Sequence, residues 1–302
     1  MSNKVIVSVD VEDWYHGPTV ISPKNSSKTL ESFLASADDA ERAYRYIGSC
    51  LDLLAAHNIK ATFFWVAEYA RRFEDLIREV VAQGHEVACH GLCHYSKLDA
   101  ATRRNVFSEK EFVARTREAK EILENLSGQR VIGYRAPNAY ISGMMIDVLE
   151  DLGFRYDSSV SVNSLYNKTD GELCGVDTAP YYPRRGSLDR GTEKRRIVEF
   201  PWPYLDVMGF KVQSAGGPFL RMFGTPLIKG GIRQSLRRGQ TTFYFHPVDI
   251  CNEPIPLEFD LRRPLLWMVK GDVVKRRIAC LLADFAPMTA NFASVVDEVV
   301  PK

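Results

Sequence analysis

Apolar runs of strand length alternate along this chain with amphipathic stretches of helical period. Residues 5–9 (Val-Ile-Val-Ser-Val) are β-branched apart from Ser8, the pattern of a strand buried on both faces. In residues 40–57, Ala43, Ile47, Leu51 and Leu54 recur at helical spacing behind a capping Asp38 or Asp39. Further strands are predicted at 61–66 and 86–89, with a helix between them at 68–83 that Gly84 closes. Ser108 and Glu111 have capping-box spacing and open a helix to about residue 126, ended by Gly128. A strand at 131–134, a helix at 144–152 and a strand at 154–156 continue the series. Later strands are predicted at 197–200 and 241–245, with helices inside 225–238, near 274–284 and near 292–299. Such βα alternation with short joins predicts a parallel sheet, closed or open. Residues 17–38 read as a long loop, and 160–196 as an irregular insertion rich in Gly, Asn, Asp, Pro and Arg.

The strands share a further regularity. Five of them end in a polar or ionisable residue: Asp10, His90, Arg135, Asp157 and His246. In parallel barrels each strand delivers a side chain to a common rim at its C-terminal end. Each residue alone could be a solvated loop group; together they form the kit of a hydrolytic metal site. His90 and His94 are four residues apart, which brings two imidazoles to one side of a turn and suits one ion. Asp10, Glu12 and Asp13 offer carboxylates for two separate tasks, ligation and proton transfer. A His-His-carboxylate set accepts Zn²⁺ first, and also Co²⁺, Ni²⁺ or Fe²⁺. Arg135 near Asp10 would hold that carboxylate ionised and oriented, and the Arg-x-Pro turn through Pro137 fixes the backbone there. His246 beside Asp157 becomes a candidate general acid.

Composition narrows the picture only a little. With 302 residues, 45% hydrophobic and 25% charged, the chain reads as a globular protein with a full core. A net charge of +1 gives no reason to propose nucleic acid or a membrane surface as partner. No run of 18 apolar residues occurs and the first apolar run is too short for a signal peptide, so a cytoplasmic location is expected. The six cysteines are then expected to be reduced. Cys89 and Cys93 interleave with the histidine pair, but neighbouring positions point in different directions, so Cys89 is assigned to the core and Cys93 to the loop lining.

At this point the motifs coincide with a family. Ser8-Val-Asp-Val-Glu-Asp-Trp14, His90-Gly-Leu-Cys-His94, Tyr134-Arg-Ala-Pro-Asn138, Tyr156-Asp-Ser-Ser159 and Tyr244-Phe-His-Pro247 occur in that order. The chain thereby resembles the polysaccharide deacetylases of the NodB-homology class (carbohydrate esterase family 4), and more closely a branch found with bacterial exopolysaccharide and surface-glycan loci. The resemblance implies a distorted (β/α)7-type barrel, one catalytic domain over 1–302 with a C-terminal extension at 250–302, and a metal-dependent carbohydrate N-deacetylase. It places Asp10 as catalytic base, Arg135 as its orienting partner, and Asp157 as the group that tunes His246, the acid for the leaving amine. The backbone N–H of Asn138 would be an oxyanion donor. The acid that joins His90 and His94 on the metal is Glu12 or Asp13, with Glu12 preferred because an i+2 residue returns to the side of Asp10.

Three departures from the family pattern shape the expectations. Gly91 stands where Ser or Thr is usual. The tryptophan often found after the fourth motif is absent, so the sugar platform is assigned to Trp202 or Trp14, with Pro137 also lining the substrate side. The lack of a signal favours an amino-sugar glycan, a sugar nucleotide or a lipid-linked glycan precursor as substrate. The rivals are an allantoinase-like cyclic-amide hydrolase and a catalytically silent glycan-binding protein of the same fold.

Overall fold

The computed structural model describes residues 3–16, 37–94, 106–164, 173–253 and 269–298. The loop expected at 17–38 and part of the insertion at 160–196 therefore lie largely outside the described residues. Strand β1 (Val5–Val11) is buried at every position, as its β-branched run requires. It is central in an eight-stranded sheet with β2 (Thr62–Trp65), β3 (Glu86–Cys89), β4 (Gly133–Tyr134), β5 (Tyr156–Asp157) and β6 (Val198–Glu199) following to one side. Strand β9 (Thr241–Phe245) pairs with the other edge of β1, and all these pairings are parallel. The arrangement is a barrel-like parallel sheet covered by helices, the distorted (β/α) barrel expected from the motifs.

Between β6 and β9 the chain fills the gap without regular strands. Trp202 bridges Ser161, the Ser214 N–H donates to the Pro203 carbonyl (2.8 Å), and Gly216 bridges Tyr244. An antiparallel hairpin of β7 (Tyr204–Val207) and β8 (Phe210–Gln213) grows from this junction. No hairpin is expected here from the sequence, because Met208-Gly209 replaces the usual Asn-Gly or Asp-Gly turn.

Helix boundaries also moved, for identifiable reasons. Helix α1 is Ala37–Ala55. The helix expected at 68–83 is two, α2 (Ala67–Arg72) and α3 (Glu74–Ala82), broken at Phe73 (φ −134°, ψ 51°). The break lets Phe73 bury its ring against Tyr69 and Tyr44. Helix α4 (Glu109–Ser127) has the expected Ser108 cap, accepting from Glu111 N, and ends on left-handed Gly128. Helix α5 is Gly143–Asp151, and α6 runs from Gly217 to Ser235 with a kink at Gly224 ahead of Pro226. The expected helix in 225–238 is thus the second half of a longer element.

The C-terminal part is woven into the same core. After α7 (Asp272–Phe285), β10 (Thr289–Ala290) pairs with Val5 and Ile6, and the short α8 (Phe292–Val295) follows. Phe292 stacks on Tyr156 at 4.6 Å, and the Ala293 N–H donates to the buried Glu86 carboxylate (2.9 Å). Glu86 opens β3, so this segment caps the barrel end opposite the strand C-termini. No helix among the described residues is long and apolar enough to cross a membrane.

Candidate active site

Because β1, β3, β4, β5 and β9 run parallel, their C-terminal ends share one rim. Register fixes the neighbours: Trp65 pairs with Cys89, Cys89 with Tyr134, and Val9 with Phe245. His90, Arg135 and His246 each follow directly on one of these paired positions. Asp10 and Arg135 meet there as a buried ion pair, Nη1 to Oδ1 at 2.6 Å. The same guanidinium donates to Ser8 Oγ (2.9 Å), Ser158 O (2.9 Å) and Ser158 Oγ (3.1 Å), and lies 4.2 Å above the Phe64 ring. A fully buried arginine held at so many points leaves the Asp10 carboxylate one orientation.

Just past β1 the Glu12 N–H turns back onto the Asp10 carbonyl (3.0 Å), bringing the Glu12 side chain over the rim. Its Oε2 meets His94 Nε2 and lies 3.9 Å from His90 Nε2, while Oε1 is 3.2 Å from His246 Nε2. Ligand atoms of Glu12, His90 and His94 all lie within 4.8 Å of one another. Asp13, the alternative ligand, points elsewhere: it pairs with Arg42 (2.7 Å) and accepts from the Trp14 N–H (2.6 Å). Geometry separates the two acids that sequence left open.

The donor set fits a divalent cation. His90 Nδ1 is 2.8 Å from the Arg135 carbonyl, which makes Nδ1 the protonated nitrogen and leaves Nε2 free to ligate. Glu12 Oε2 is buried and has no aligned hydrogen-bond donor, although it faces both imidazoles. Burial opposes a charge on Glu12, but His94, His246 and His90 outweigh it and hold the carboxyl well below the usual carboxylate range. Burial pushes His90 down to about 4 against the pull of Asp10. An ionised carboxylate beside a neutral imidazole is the protonation state that ligation requires. Gly91 sits between the ligands with φ +80°, and a Cβ there would come within 3.0 Å of Pro137 Cγ. That backbone accounts for glycine where the family usually has Ser or Thr.

The carboxylate on His246 is Asp249, which corrects the assignment of Asp157. Asp249 Oδ2 takes both the His246 backbone N–H (2.8 Å) and Nδ1 (2.9 Å), and Oδ1 faces the buried Arg221 Nε at 3.3 Å. Asp157 is occupied elsewhere. It accepts from Ser159 N (3.0 Å) and Ser159 Oγ (2.8 Å) and faces Glu199, and burial raises both carboxyls toward their neutral forms. Ser159 Oγ in turn accepts from the Ala136 N–H (2.8 Å), so Asp157 braces the Arg135–Asn138 turn. Asn138 itself is left-handed (φ 57°) in the short turn Pro137–Ala139.

The aromatic residues expected to hold sugar are largely enclosed. Trp14 is 2% and Trp202 6% exposed. The Trp202 indole N–H donates to Ser158 O (2.9 Å) and its ring lies 4.7 Å from Tyr244, so it buttresses Arg135. Cys89 is buried and its thiol pushed up to about 12, as expected of a core residue; Cys93 is partly exposed. Sequence reasoning missed Asp249, although His246-Pro-Val-Asp249 has the three-residue spacing of a capping box, which the structure forms. It also missed Arg221, whose helical context carried no signal, and the half-buried His16, 5.4 Å from His94 between ring centres.

Burial works against a charged His246, yet the Asp249 carboxylate, aided by Glu12 and Asp10, pushes its pKa up to about 9. A raised value means that protonated His246 stabilises the metal-free fold below about pH 6.5, and that this contribution is lost as pH rises through about 9. Asp249→Asn should lower the His246 titration in the metal-free protein, because the carboxylate charge that faces Nδ1 is gone. Histidine NMR resonances followed against pH check this; an unmoved titration would remove Asp249 from the pair.

Residues 36–156 match the family model for polysaccharide deacetylase. That segment is similar to the polysaccharide deacetylases. Residues 161–293 match a second model, described as a domain of unknown function (DUF3473). A chitooligosaccharide deacetylase of Sinorhizobium fredii is 52% identical over 56 residues, 18% of this chain and 26% of its own. A peptidoglycan-N-acetylglucosamine deacetylase of Bacillus cereus is 25% identical over 160 residues, 51% of this chain and 54% of its own. The matches thus span between about a quarter and about half of the length of these curated relatives. In fold, the chain is similar to a Mycobacterium smegmatis protein assigned as a polysaccharide deacetylase: TM-score 0.62, 18% identity, 100% of this chain and 94% of that one. The first matched segment supplies His90, His94 and Arg135, while His246 and Asp249 come from the second match and Asp10 and Glu12 precede both. One sheet joins all three contributions.

Proposed function

We propose that this chain is a metal-dependent hydrolase that removes an N-acetyl, or N-formyl, group from an amino sugar in a bacterial surface glycan or its precursor. The observation that carries the reading is the position of Glu12. One carboxylate oxygen faces His90 and His94, and the other lies 3.2 Å from His246, with the Asp10–Arg135 pair beside it on the rim.

A divalent ion held by Glu12, His90 and His94, with Zn²⁺ the first choice, would supply Lewis-acid polarisation of the amide carbonyl and acidify water. Asp10, kept in place by Arg135, accepts the proton of the attacking water. His246, kept protonated and oriented by Asp249, returns a proton to the amide nitrogen as the carbon–nitrogen bond breaks. The backbone N–H of Asn138, in the turn braced by Ser159, is the proposed donor to the developing oxyanion. The products are a free carboxylic acid and the amino sugar.

The test is mass spectrometry of N-acetylglucosamine oligosaccharides, peptidoglycan fragments and N-acetylated sugar nucleotides incubated with metal-loaded and chelated protein. Loss of the acyl group from one class, only in the loaded sample, is expected. Turnover of cyclic amides instead would favour the allantoinase-like rival, and no turnover with bound metal would favour a silent glycan-binding protein.

A further inference from the structure

The three most exposed large apolar side chains among the described residues fall in one turn: Val207 (54%), Met208 (102%) and Phe210 (48%). They form the tip of the β7–β8 hairpin. Its central residues are both left-handed, Met208 at φ 54° and Gly209 at φ 89°. This is the tight hairpin turn whose first central position normally goes to Asn, Asp or Gly. Here a bulky apolar residue occupies a conformation that disfavours it and points wholly into solvent. Packing explains neither choice, since the Met208 side chain is wholly exposed among the described residues.

Two cations lie on the stem of the hairpin. Lys211 Nζ lies 5.1 Å from the Tyr204 ring centre and Arg238 Cζ lies 5.4 Å from the same ring. Asp177 is paired with Arg190 (3.3 Å), and Asp206, the ladder partner of Lys211, accepts from the Gly209 N–H (2.8 Å) and offsets one of the two cations, so the stem keeps a positive excess. An apolar tip with a basic collar matches the interfacial zone of an anionic bilayer, apolar at acyl depth and negative at the headgroups. The overall charge of +1 hides this local arrangement.

We propose that the β7–β8 turn is a membrane-docking tip, inserting Val207, Met208 and Phe210 at the headgroup–acyl boundary while Lys211 and Arg238 meet anionic lipid phosphates. A second copy of this chain fits less well. A stable dimer needs about 800 Å² from each partner, and a convex four-residue tip offers far less. Two such tips would also bring like charges together. The position of the hairpin gives docking a purpose. Its root is tied to the rim, where Ser214 N donates to Pro203 O and Gly216 bridges Tyr244, two residues before His246. From Tyr204 to Val207 the strand spans about 10 Å. Docking would therefore hold the rim close to a glycan carried at a lipid surface.

The test is co-sedimentation of the full chain with vesicles of phosphatidylcholine alone or mixed with phosphatidylglycerol. The chain should partition onto the mixed vesicles and be released by high salt. Met208→Asp with Phe210→Ser should lower partitioning by at least roughly tenfold, and Lys211→Glu by about fivefold. Circular dichroism should be unchanged in all variants, because the Met208 side chain is wholly exposed and that of Phe210 about half exposed. Failure of the unaltered chain to bind mixed vesicles, or equal binding by the tip variant, would overturn the proposal. So would light scattering that shows a dimer lost in Met208→Asp, since the tip would then serve self-association. None of these readouts depends on the deacetylation chemistry.

Discussion

Asp10→Asn should keep its bound metal and lose turnover by roughly two to four powers of ten, the size of a general-base contribution. Asp10 is 3% exposed and its Oδ1 is 2.6 Å from Arg135 Nη1, so the residue is fixed by its partner and stands outside the Glu12–His90–His94 set. Asparagine keeps the volume and one acceptor oxygen but cannot take a proton from water. The substitution also leaves the Arg135 guanidinium buried without its counter-charge. Breaking a buried pair costs about 3–5 kcal/mol, and the retained amide oxygen should bring the cost toward the lower end. Thermal denaturation therefore belongs beside the kinetics, with turnover normalised to folded protein and metal measured by mass spectrometry. Turnover within a factor of about ten of the unaltered chain would remove Asp10 from the base role.

Much of the rim was legible in the sequence because a buried strand that ends in a charged residue breaks its own pattern. Val5–Val11 is apolar except for Ser8 and Asp10, and those two side chains are the ones that Arg135 holds. Alternation along a strand puts residues 8 and 10 on the same face, so their shared partner follows from the period. Glu12 was chosen over Asp13 on the same argument, and a backbone turn from Glu12 N to Asp10 O produces that return.

What failed is equally physical. Asp157 and Asp249 are both acids close to strand ends, and sequence cannot say which of them reaches His246. Asp157 is the last residue of β5 and points into a buried pocket with Glu199, whereas Asp249 lies in the turn that His246 itself opens. A local capping contact defeated the longer-range guess. The Phe73 break and the β7–β8 hairpin were missed for a related reason. Ring packing against Tyr69, and a methionine in a glycine-like conformation, leave no trace in hydrophobic periodicity.

The site is also assembled from parts that family matching separates. The metal-facing histidines lie in residues 36–156 and the candidate acid in 161–293, yet β1 pairs with β2 from the first stretch and β9 from the second. The strands that flank β1 thus bring His246 to Glu12. On the proposed mechanism the second stretch would supply the acid, His246, together with its partner Asp249.

His90→Ala is expected to abolish metal binding and turnover together. The imidazole is one of three converging groups that could hold an ion, and its Nδ1 is anchored to the Arg135 carbonyl at 2.8 Å, the type of support that orients a ligand and fixes its tautomer. Loss of such outer support alone commonly costs 10- to 100-fold in affinity, so loss of the ligand should exceed about 100-fold. Calorimetric titration and metal content after dialysis give the readout. Cys89→Ala is the matching control. Cys89 is buried, its thiol is pushed up to about 12, and it adjoins His90 in the chain, so a sulfur-ligated site would lose metal in this variant as well. Metal retained by Cys89→Ala and lost by His90→Ala would assign the ion to the imidazole. Stoichiometric metal in His90→Ala would remove His90 from the site and reopen the sulfur alternative.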